Sequence, residues 1–322
     1  MSKFHFALAL AAVLFSASVS SDALAATRNC TDAERNIANA RLATIGADPT
    51  LKDQVLRWHL QFGPHEATGP TANEHLLVQG GYVMNHDSDL RTSLWASYRL
   101  TARDMINARG KDRVNCFRQD PRRGSAHTAV SSDYNEARYD QGHLANDADL
   151  KGDLVEQLNT YVLSNMSPQE CRFNRGIWLS LEHLGRAWAS RYDTIYITAG
   201  AVFDRNNDSV RDDDSDAVRM HSRNGQARVA VPSHYYRVIV RQEGNNIRSI
   251  SFLLQHTNNP HGVRWGDVRP HTENAITTLA EIEHKAGVRL HPSLDRARLT
   301  ESRRGEGWNM NEGKPNLESG CP

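Results

Sequence analysis

No C-x-x-C pair occurs in this chain, and after residue 25 no apolar run approaches the roughly 20 residues that a transmembrane helix needs. The first absence argues against a zinc knuckle, which uses closely spaced cysteine ligands. The chain also lacks net charge, because 38 Lys and Arg residues balance 38 Asp and Glu residues. No overall positive field therefore indicates a polyanionic partner, although a local basic groove would be enough to bind one.

The first residues fit a secretory signal peptide. Lys3 supplies the positive charge, residues 4–15 are almost uninterrupted apolar sequence, and Ala23-Leu24-Ala25 satisfies the small-x-small rule for cleavage. We therefore expect residues 1–25 to be removed, which leaves about 297 residues starting near Ala26. This mature chain would be secreted or periplasmic, with no membrane contact. An uncleaved N-terminal anchor is the alternative.

The four cysteines agree with export. Cys30, Cys116, Cys171 and Cys321 all follow the signal peptide and are widely spaced, which favours disulfides. Four cysteines allow three pairings, and the sequence does not choose among them. We prefer Cys116–Cys171 with Cys30–Cys321, because the first bond would pin the loop before Asn174 and the second would join the two ends.

The mature chain begins with helical signals. Thr31 and Glu34 form a capping box, and Asp48-Pro49 opens a second helix that ends at Gly63-Pro64. We predict a helical N-terminal extension at 26–73, a main domain at 74–292 and a polar, loosely held C-terminal tail at 293–322.

The main domain mixes strands and helices. Period-two apolar patterns predict strands at 82–85, 94–100, 161–163, 194–198, 236–240 and 250–254, with a hairpin turn at 243–246. Helical periodicity predicts helices at 175–191 and 273–286. Because these elements do not alternate as regular βαβ units, we predict an α+β fold, a mainly antiparallel sheet flanked by helices.

The helix predicted at 175–191 has an apolar face and, beside it, a row of polar side chains. Its apolar stripe at 177, 181, 184 and 188 would pack on the sheet. A neighbouring ridge, with residues spaced by four, contains Asn174, Trp178, Glu182 and Arg186, so an amide oxygen, a carboxylate and a guanidinium would line one groove. Hard oxygen donors suit Mg²⁺. The alternative is a solvated helix face with an ordinary Glu182–Arg186 ion pair.

A second segment contributes an imidazole. Asp140-Gln141-Gly142-His143 follows an extended stretch, so His143 lies at a sharp strand exit where glycine relieves crowding. A histidine near its ordinary pKa can accept a proton from water at neutral pH. The chain has 15 histidines, however, and most histidines are structural.

These segments resemble the DNA/RNA non-specific endonucleases of the ββα-metal group, which include secreted bacterial nucleases and mitochondrial endonuclease G. The family's Asp-Arg-Gly-His block resembles residues 140–143, and its Ser-Asn-x-x-Pro-Gln block matches residues 164–169. Its Asn, Glu and Arg, spaced by eight and then four, match Asn174, Glu182 and Arg186. Softer matches are Trp95, Arg113 with Phe117 and Asp120, and residues 198–200. The resemblance covers roughly residues 80–260.

The resemblance implies a role for each side chain. His143 would be the general base that activates water. Asn174 would be the one direct protein ligand of Mg²⁺, with Mn²⁺ as a substitute metal, and Glu182 would hold a metal-bound water. Arg186 would contact the phosphate, and Arg113 is a second candidate for that contact. DNA and RNA would be the substrates, and products would end in 5′-phosphate.

Two departures from the family pattern bear on activity. Gln141 stands where the family usually has Arg, and Asn146 stands where proline or a small residue is common. The charge missing at Gln141 could be supplied by Arg138, or Arg138 could be a plain surface residue. The alternatives to a nuclease of ordinary activity are a catalytically weakened nucleic-acid-binding protein on the same fold and a toxin-type nuclease with a dedicated protein inhibitor.

Overall fold

The computed structural model of the protein describes residues 26–68, 73–221, 227–259, 261–316 and 320–321. The proposed signal peptide at 1–25 lies outside these ranges and stays a prediction. Within them, no helix has the length and apolar content needed to cross a membrane.

The helices of the described residues begin and end as follows: α1 (Asp32–Ala47), α2 (Pro49–His59), α3 (Ala102–Asn107), α4 (Asp147–Leu150), α5 (Leu154–Thr160), α6 (Cys171–Phe173), α7 (Leu179–Tyr192), α8 (Trp265–Asn274) and α9 (Leu279–Ala286). A π-helical segment, Asn174–Trp178, joins α6 to α7. The strands are β1 (Thr27–Asn29), β2 (Glu66–Ala67), β3 (Glu74–Val78), β4 (Val83–Asp87), β5 (Thr92–Thr101), β6 (Arg113–Asn115), β7 (Tyr139–His143), β8 (Met166–Glu170), β9 (Thr194–Val202), β10 (Arg219–His221), β11 (Ala227–Ala230), β12 (His234–Glu243), β13 (Asn246–Gln255), β14 (Ile276–Thr277), β15 (Val288–Arg289) and β16 (Leu299–Glu301).

A central sheet organises the fold. Its strand order is β14-β13-β12-β9-β5-β4-β3, every neighbouring pair is antiparallel, and β16 adds to β13 in parallel. The helix α7 and the π-helical segment before it carry the apolar stripe predicted from the sequence, and all four of its residues are buried: Ile177, Leu181, Leu184 and Trp188. The predicted α+β class is confirmed.

The predicted β12–β13 hairpin is confirmed, whereas two other predictions of secondary structure are wrong. The β12–β13 turn contains Gly244 at φ +60°, a backbone conformation that favours glycine. Residues 161–163 do not form a strand: Tyr161 ends α5, and Val162 makes only an isolated bridge to Arg118. The helix predicted at 273–286 is broken, because β14 pairs with β13 between α8 and α9.

The preferred disulfide pairing is wrong: the bonds are Cys30–Cys116 and Cys171–Cys321. The physical reason is a strand contact that the sequence pattern does not reveal. Strand β1 pairs with β6 in parallel, and the amide of Cys30 donates to the Asn115 carbonyl at 2.9 Å. Cys30 is thereby held beside Cys116.

Within the described residues, the C-terminal tail predicted at 293–322 is not loosely held, contrary to the prediction. Strand β16 pairs with β13, and Trp308 and Met310 are buried in the main core. The indole nitrogens of Trp188 and Trp265 donate to the Asn309 and Met310 carbonyls at 2.7 and 2.9 Å. The polar composition of the segment led to the wrong prediction, because a few apolar residues are enough to pack it against the domain.

A histidine pair links residues before β2 to residues after β15. The His65 and His291 rings lie 4.7 Å apart, and both lie within hydrogen-bonding distance of the Thr198 hydroxyl on β9. His291 is 2% exposed, and its burial, together with nearby Arg296, lowers its pKa to about 3. Burial likewise lowers the pKa of His65 well below its ordinary value, and His291 adds to that shift. Both imidazole rings are therefore neutral in the folded protein at neutral pH.

We expect the free energy of unfolding to fall as pH falls from about 6.5 toward 3. The unfolded chain binds a proton at each such imidazole in this window while the folded chain does not, so stability is complete above the window and lost within it. His291→Asn should make the dependence shallower by about one proton, or about 1.4 kcal/mol per pH unit. Denaturant titrations between pH 4 and 7 measure this. The same change at exposed His284 is the control, and equal slopes in His291→Asn and the wild type would contradict the expectation.

Candidate active site

One cavity of about 1270 Å³ opens between the end of β7 and the helix that runs from α6 into α7. Its walls include every side chain that the sequence analysis selected for chemistry: Arg113, His143, Asn174, Glu182 and Arg186. The two segments meet because the Trp178 indole nitrogen donates to the His143 carbonyl at 3.2 Å. The imidazole and the carboxamide thus face a common space.

The β7–β8 pair fixes His143 at the cavity. His143 is paired with Met166, and Gly142 with Ser167. A Cβ at residue 142 would lie 2.2 Å from the buried Gln169 side chain, so this position requires glycine for close approach. The Asn165 side chain then bonds both the amide and the carbonyl of Ala145 at 3.0 and 2.9 Å, which holds the chain just after His143.

The His143 ring is buried but chemically available. The residue is 8% exposed, its ring packs edge-to-face on Tyr161 at 4.8 Å, and its Nε2 has no hydrogen-bond partner within the described residues. Burial lowers the pKa of His143 to about 4, while nearby Asp147 opposes and Arg113 reinforces that shift. The imidazole is therefore neutral at pH 7 and can accept a proton.

Asn174 is oriented by a carboxylate. Its amide nitrogen donates to Asp140 Oδ2 at 2.9 Å, which assigns the two amide atoms and leaves the oxygen for another partner. Asp140 in turn receives two bonds from the Arg175 guanidinium, at 2.9 and 2.8 Å. Such a forked pair is geometrically stiff, so Asp140 is a fixed anchor for the amide.

The π-helical segment aligns Asn174 with Glu182. In a regular helix, residues eight apart differ by about 80° in direction, because each residue turns about 100°. A π segment inserts one extra residue, so the two positions relate as residues seven apart, only about 20° from alignment. Gly176 carries the irregular backbone at φ −100° and ψ −105°. Trp178, on the same sequence ridge, is instead fully buried.

Glu182 is a buried carboxylate with an unusual pKa. It is 6% exposed, and burial raises its pKa to about 7, with Asp149 and Asp147 adding to the rise and Arg237 and Arg186 opposing it. A nearby cation would lower this pKa again, since it would favour the charged form. A cation bound at the site would therefore stabilise the ionised form of this carboxylate.

The two candidate phosphate contacts are engaged with acidic residues. The Arg186 guanidinium donates to the buried Asp149 at 2.9 Å, so the i,i+4 pair with Glu182 considered from the sequence is not formed. Arg113 donates to the Tyr161 hydroxyl at 3.0 Å and lies 3.7 Å from Asp147 Oδ2. Both guanidinium groups still line the cavity, which leaves donors that could meet an anion.

Sequence reasoning missed the supporting residues. Asp147 and Asp149 begin and fill the short helix α4, where Asn146 is the N-cap, and together they hold both candidate arginines. The only local signal was a run of acidic residues just after His143. Arg138, considered as a replacement for the charge missing at Gln141, pairs with Glu170 and does not line the cavity, whereas Arg175 does.

Comparisons with known proteins find similarity to nucleases. A family model described as DNA/RNA non-specific endonuclease matches residues 63–297, more than half of the chain. The chain is 28% identical to Nuclease C1 of Cunninghamella echinulata var. echinulata, covering 73% of this chain and 88% of that protein. It is 27% identical to Nuclease of Serratia marcescens, covering 89% of each, and 26% identical to mitochondrial Endonuclease G of Homo sapiens, covering 68% and 70%.

A solved structure shares the fold. The crystal structure of the EndoG/EndoGI complex, described as giving the mechanism of EndoG inhibition, matches with a TM-score of 0.59 and 22% identity. The match covers 79% of this chain and 97% of that one. At this identity the likeness concerns architecture alone.

Proposed function

The chain belongs to the DNA/RNA non-specific endonuclease family, and we propose that it hydrolyses phosphodiester bonds of both DNA and RNA to products ending in 5′-phosphate. The proposed reaction uses water as nucleophile, His143 as general base and a hydrated Mg²⁺ held by Asn174, with Mn²⁺ as a substitute. The observation that carries the proposal is the placement of His143 and Asn174 on one cavity.

The donor set fits a hard, hydrated cation. Asn174 offers its amide oxygen, and Glu182 offers a carboxylate whose raised pKa would fall beside a cation. The described residues contain no group of three His, Cys, Asp or Glu side chains placed to hold a metal alone. Few protein ligands and many waters are what Mg²⁺ prefers. When bound, the ion supplies Lewis-acid stabilisation of charge on the phosphate and the leaving oxygen.

The remaining catalytic roles are assigned to side chains of the protein. Neutral His143 takes a proton from water, a role worth about 10²–10⁴-fold in rate. Glu182 would offer its carboxylate to a water at the metal site. Arg186 and Arg113 contribute guanidinium donors toward the phosphate, while Asp149 and Asp147 keep these donors in place.

The proposed location is outside the cytoplasm. The support is the N-terminal signal sequence and the two disulfides, which persist in oxidising compartments. Relatives include proteins named as mitochondrial, so the location rests on this chain's own features. A dedicated protein inhibitor is a further proposed partner, suggested by the EndoG/EndoGI complex.

Digestion assays test the proposed function. Purified protein with Mg²⁺ should nick supercoiled plasmid and degrade structured RNA, and EDTA in excess should stop both reactions. End-group labelling should find phosphate at the new 5′ ends. Salt-sensitive binding without cleavage under a panel of divalent metals would overturn the proposal in favour of the weakened nucleic-acid-binding protein. Cleavage of DNA alone would overturn its sugar non-specificity.

A further inference from the structure

The C-terminal segment, defined as residues 310–316 with 320–321, runs along the helix that bears Asn174. The amide of Asn316 donates to the Arg175 carbonyl at 2.7 Å, and Arg175 donates to the Gly320 carbonyl at 2.5 Å. The Cys171–Cys321 disulfide joins the end of this segment to α6, three residues before Asn174. One backbone hydrogen bond, one side-chain hydrogen bond and one covalent bond thus hold the segment on the helix that bears Asn174.

This segment forms part of the cavity wall. Lys314, Pro315 and Asn316 line the same cavity as His143 and Glu182. The backbone just before Lys314 is fixed by the Trp265 indole: a Cβ at Gly313 would lie 2.5 Å from that ring. Lys314 is therefore presented at the cavity by a constrained backbone on both sides, rather than reaching it from a free end.

Lys314 differs in its pairing from three of the arginines that line the cavity. Arg113, Arg175 and Arg186 each pair with a carboxylate. Lys314 is exposed and forms no salt bridge within the described residues. A carboxylate already shares the charge of each arginine, whereas the ammonium of Lys314 is available to an incoming anion.

Lys314 lies on the same cavity as α7. The cavity wall includes His183 and Arg186 from that helix, together with Lys314 from the C-terminal segment. Arg109 and Lys151 also line the cavity, so its rim is basic although the chain as a whole has no net charge. A basic rim around a catalytic cavity favours a polyanion that extends past the reacting group.

We propose that the C-terminal segment forms part of the substrate-binding surface of the active site and that Lys314 binds a backbone phosphate of the nucleic-acid substrate. This inference rests on the proposed function, because it names a contact within the same site. It also explains how a chain of zero net charge gains local affinity for nucleic acid: the segment brings one more cation to a cavity in which Arg113, Arg175 and Arg186 are each paired with a carboxylate.

Salt-dependent binding tests the contact without requiring cleavage. A short fluorescein-labelled DNA duplex is titrated in EDTA with His143→Ala as the parent protein, and the affinity is followed by anisotropy across a salt series. Lys314→Ala should reduce the slope of log affinity against log salt by about 0.9, which corresponds to about five- to tenfold weaker binding at 0.1 M salt. Lys314→Arg keeps the charge and should retain the parent slope.

Arg303→Ala is the matched control. Arg303 lies in the same C-terminal part of the chain, its side chain is 67% exposed, and it does not line the cavity. This variant should leave the salt slope unchanged. An unchanged slope in Lys314→Ala, with a parent that binds, would overturn the contact and leave the nuclease proposal intact. A wild type that binds DNA through Lys314 but cleaves nothing would overturn the nuclease proposal alone.

Discussion

Replacing His143 with alanine should lower the rate of plasmid cleavage by at least about 10²-fold, because general-base catalysis contributes about 10²–10⁴-fold. The imidazole is neutral at pH 7, because burial lowers its pKa to about 4, so it can accept a proton from the attacking water. Added imidazole should restore part of the rate in the variant, since removal of the ring leaves room for a small base. The measurement is the initial rate of nicking at saturating Mg²⁺.

His183 provides the internal comparison for this prediction. It lines the same cavity, and its pKa is likewise lowered to about 4 by burial, yet it lies on α7 and not on the β7 strand end. His183→Ala should cost much less activity than His143→Ala, and imidazole should not rescue it. The opposite ranking would make His183 the base and would remove the assignment of His143.

Asn174→Ala should weaken Mn²⁺ binding by more than about 100-fold, and Asp140→Asn should weaken it by about 10–100-fold, the range found for residues that orient a metal ligand. Asp140 fixes the Asn174 amide through one hydrogen bond while Arg175 holds Asp140 through two. Binding is measured by electron paramagnetic resonance of free Mn²⁺ without nucleic acid, so the readout does not depend on catalysis.

A second readout separates loss of metal from loss of fold. Raising the Mg²⁺ concentration should recover cleavage in Asp140→Asn but not in Asn174→Ala, because the first variant retains the direct ligand. Both variants should unfold at denaturant concentrations close to that of the wild type. If Asn174→Ala binds Mn²⁺ as tightly as the wild type, the amide oxygen is not the ligand, and the metal proposal is wrong.

The sequence was most informative where chemistry depends on short segments. His143, Asn174 and Glu182 lie in motifs with fixed spacing, and the structure brings them to one cavity. The α1 capping box and the β12–β13 hairpin are likewise local, and both are confirmed. Such features depend on residues within a few positions of one another, so a single sequence contains nearly all the information that determines them.

Contacts between distant residues were the ones that sequence reasoning could not supply. The disulfide partners are 86 and 150 residues apart, and their pairing follows from where β1 and the C-terminal segment pack. The Arg186–Asp149 pair, likewise 37 residues apart, replaces the local Glu182 pairing. Even the alignment of Asn174 with Glu182 depends on a π segment at Gly176 that regular helical spacing does not predict.

The bond between Cys171 and Cys321 imposes an order of assembly. Its two sulfurs are contributed by residues 150 positions apart, so the ribosome must finish the whole intervening stretch before the tether can form. A reducing compartment would keep these thiols apart, so the bond forms only in oxidising surroundings. With the proposed location outside the cytoplasm, the cavity wall that this bond holds would be completed only after export.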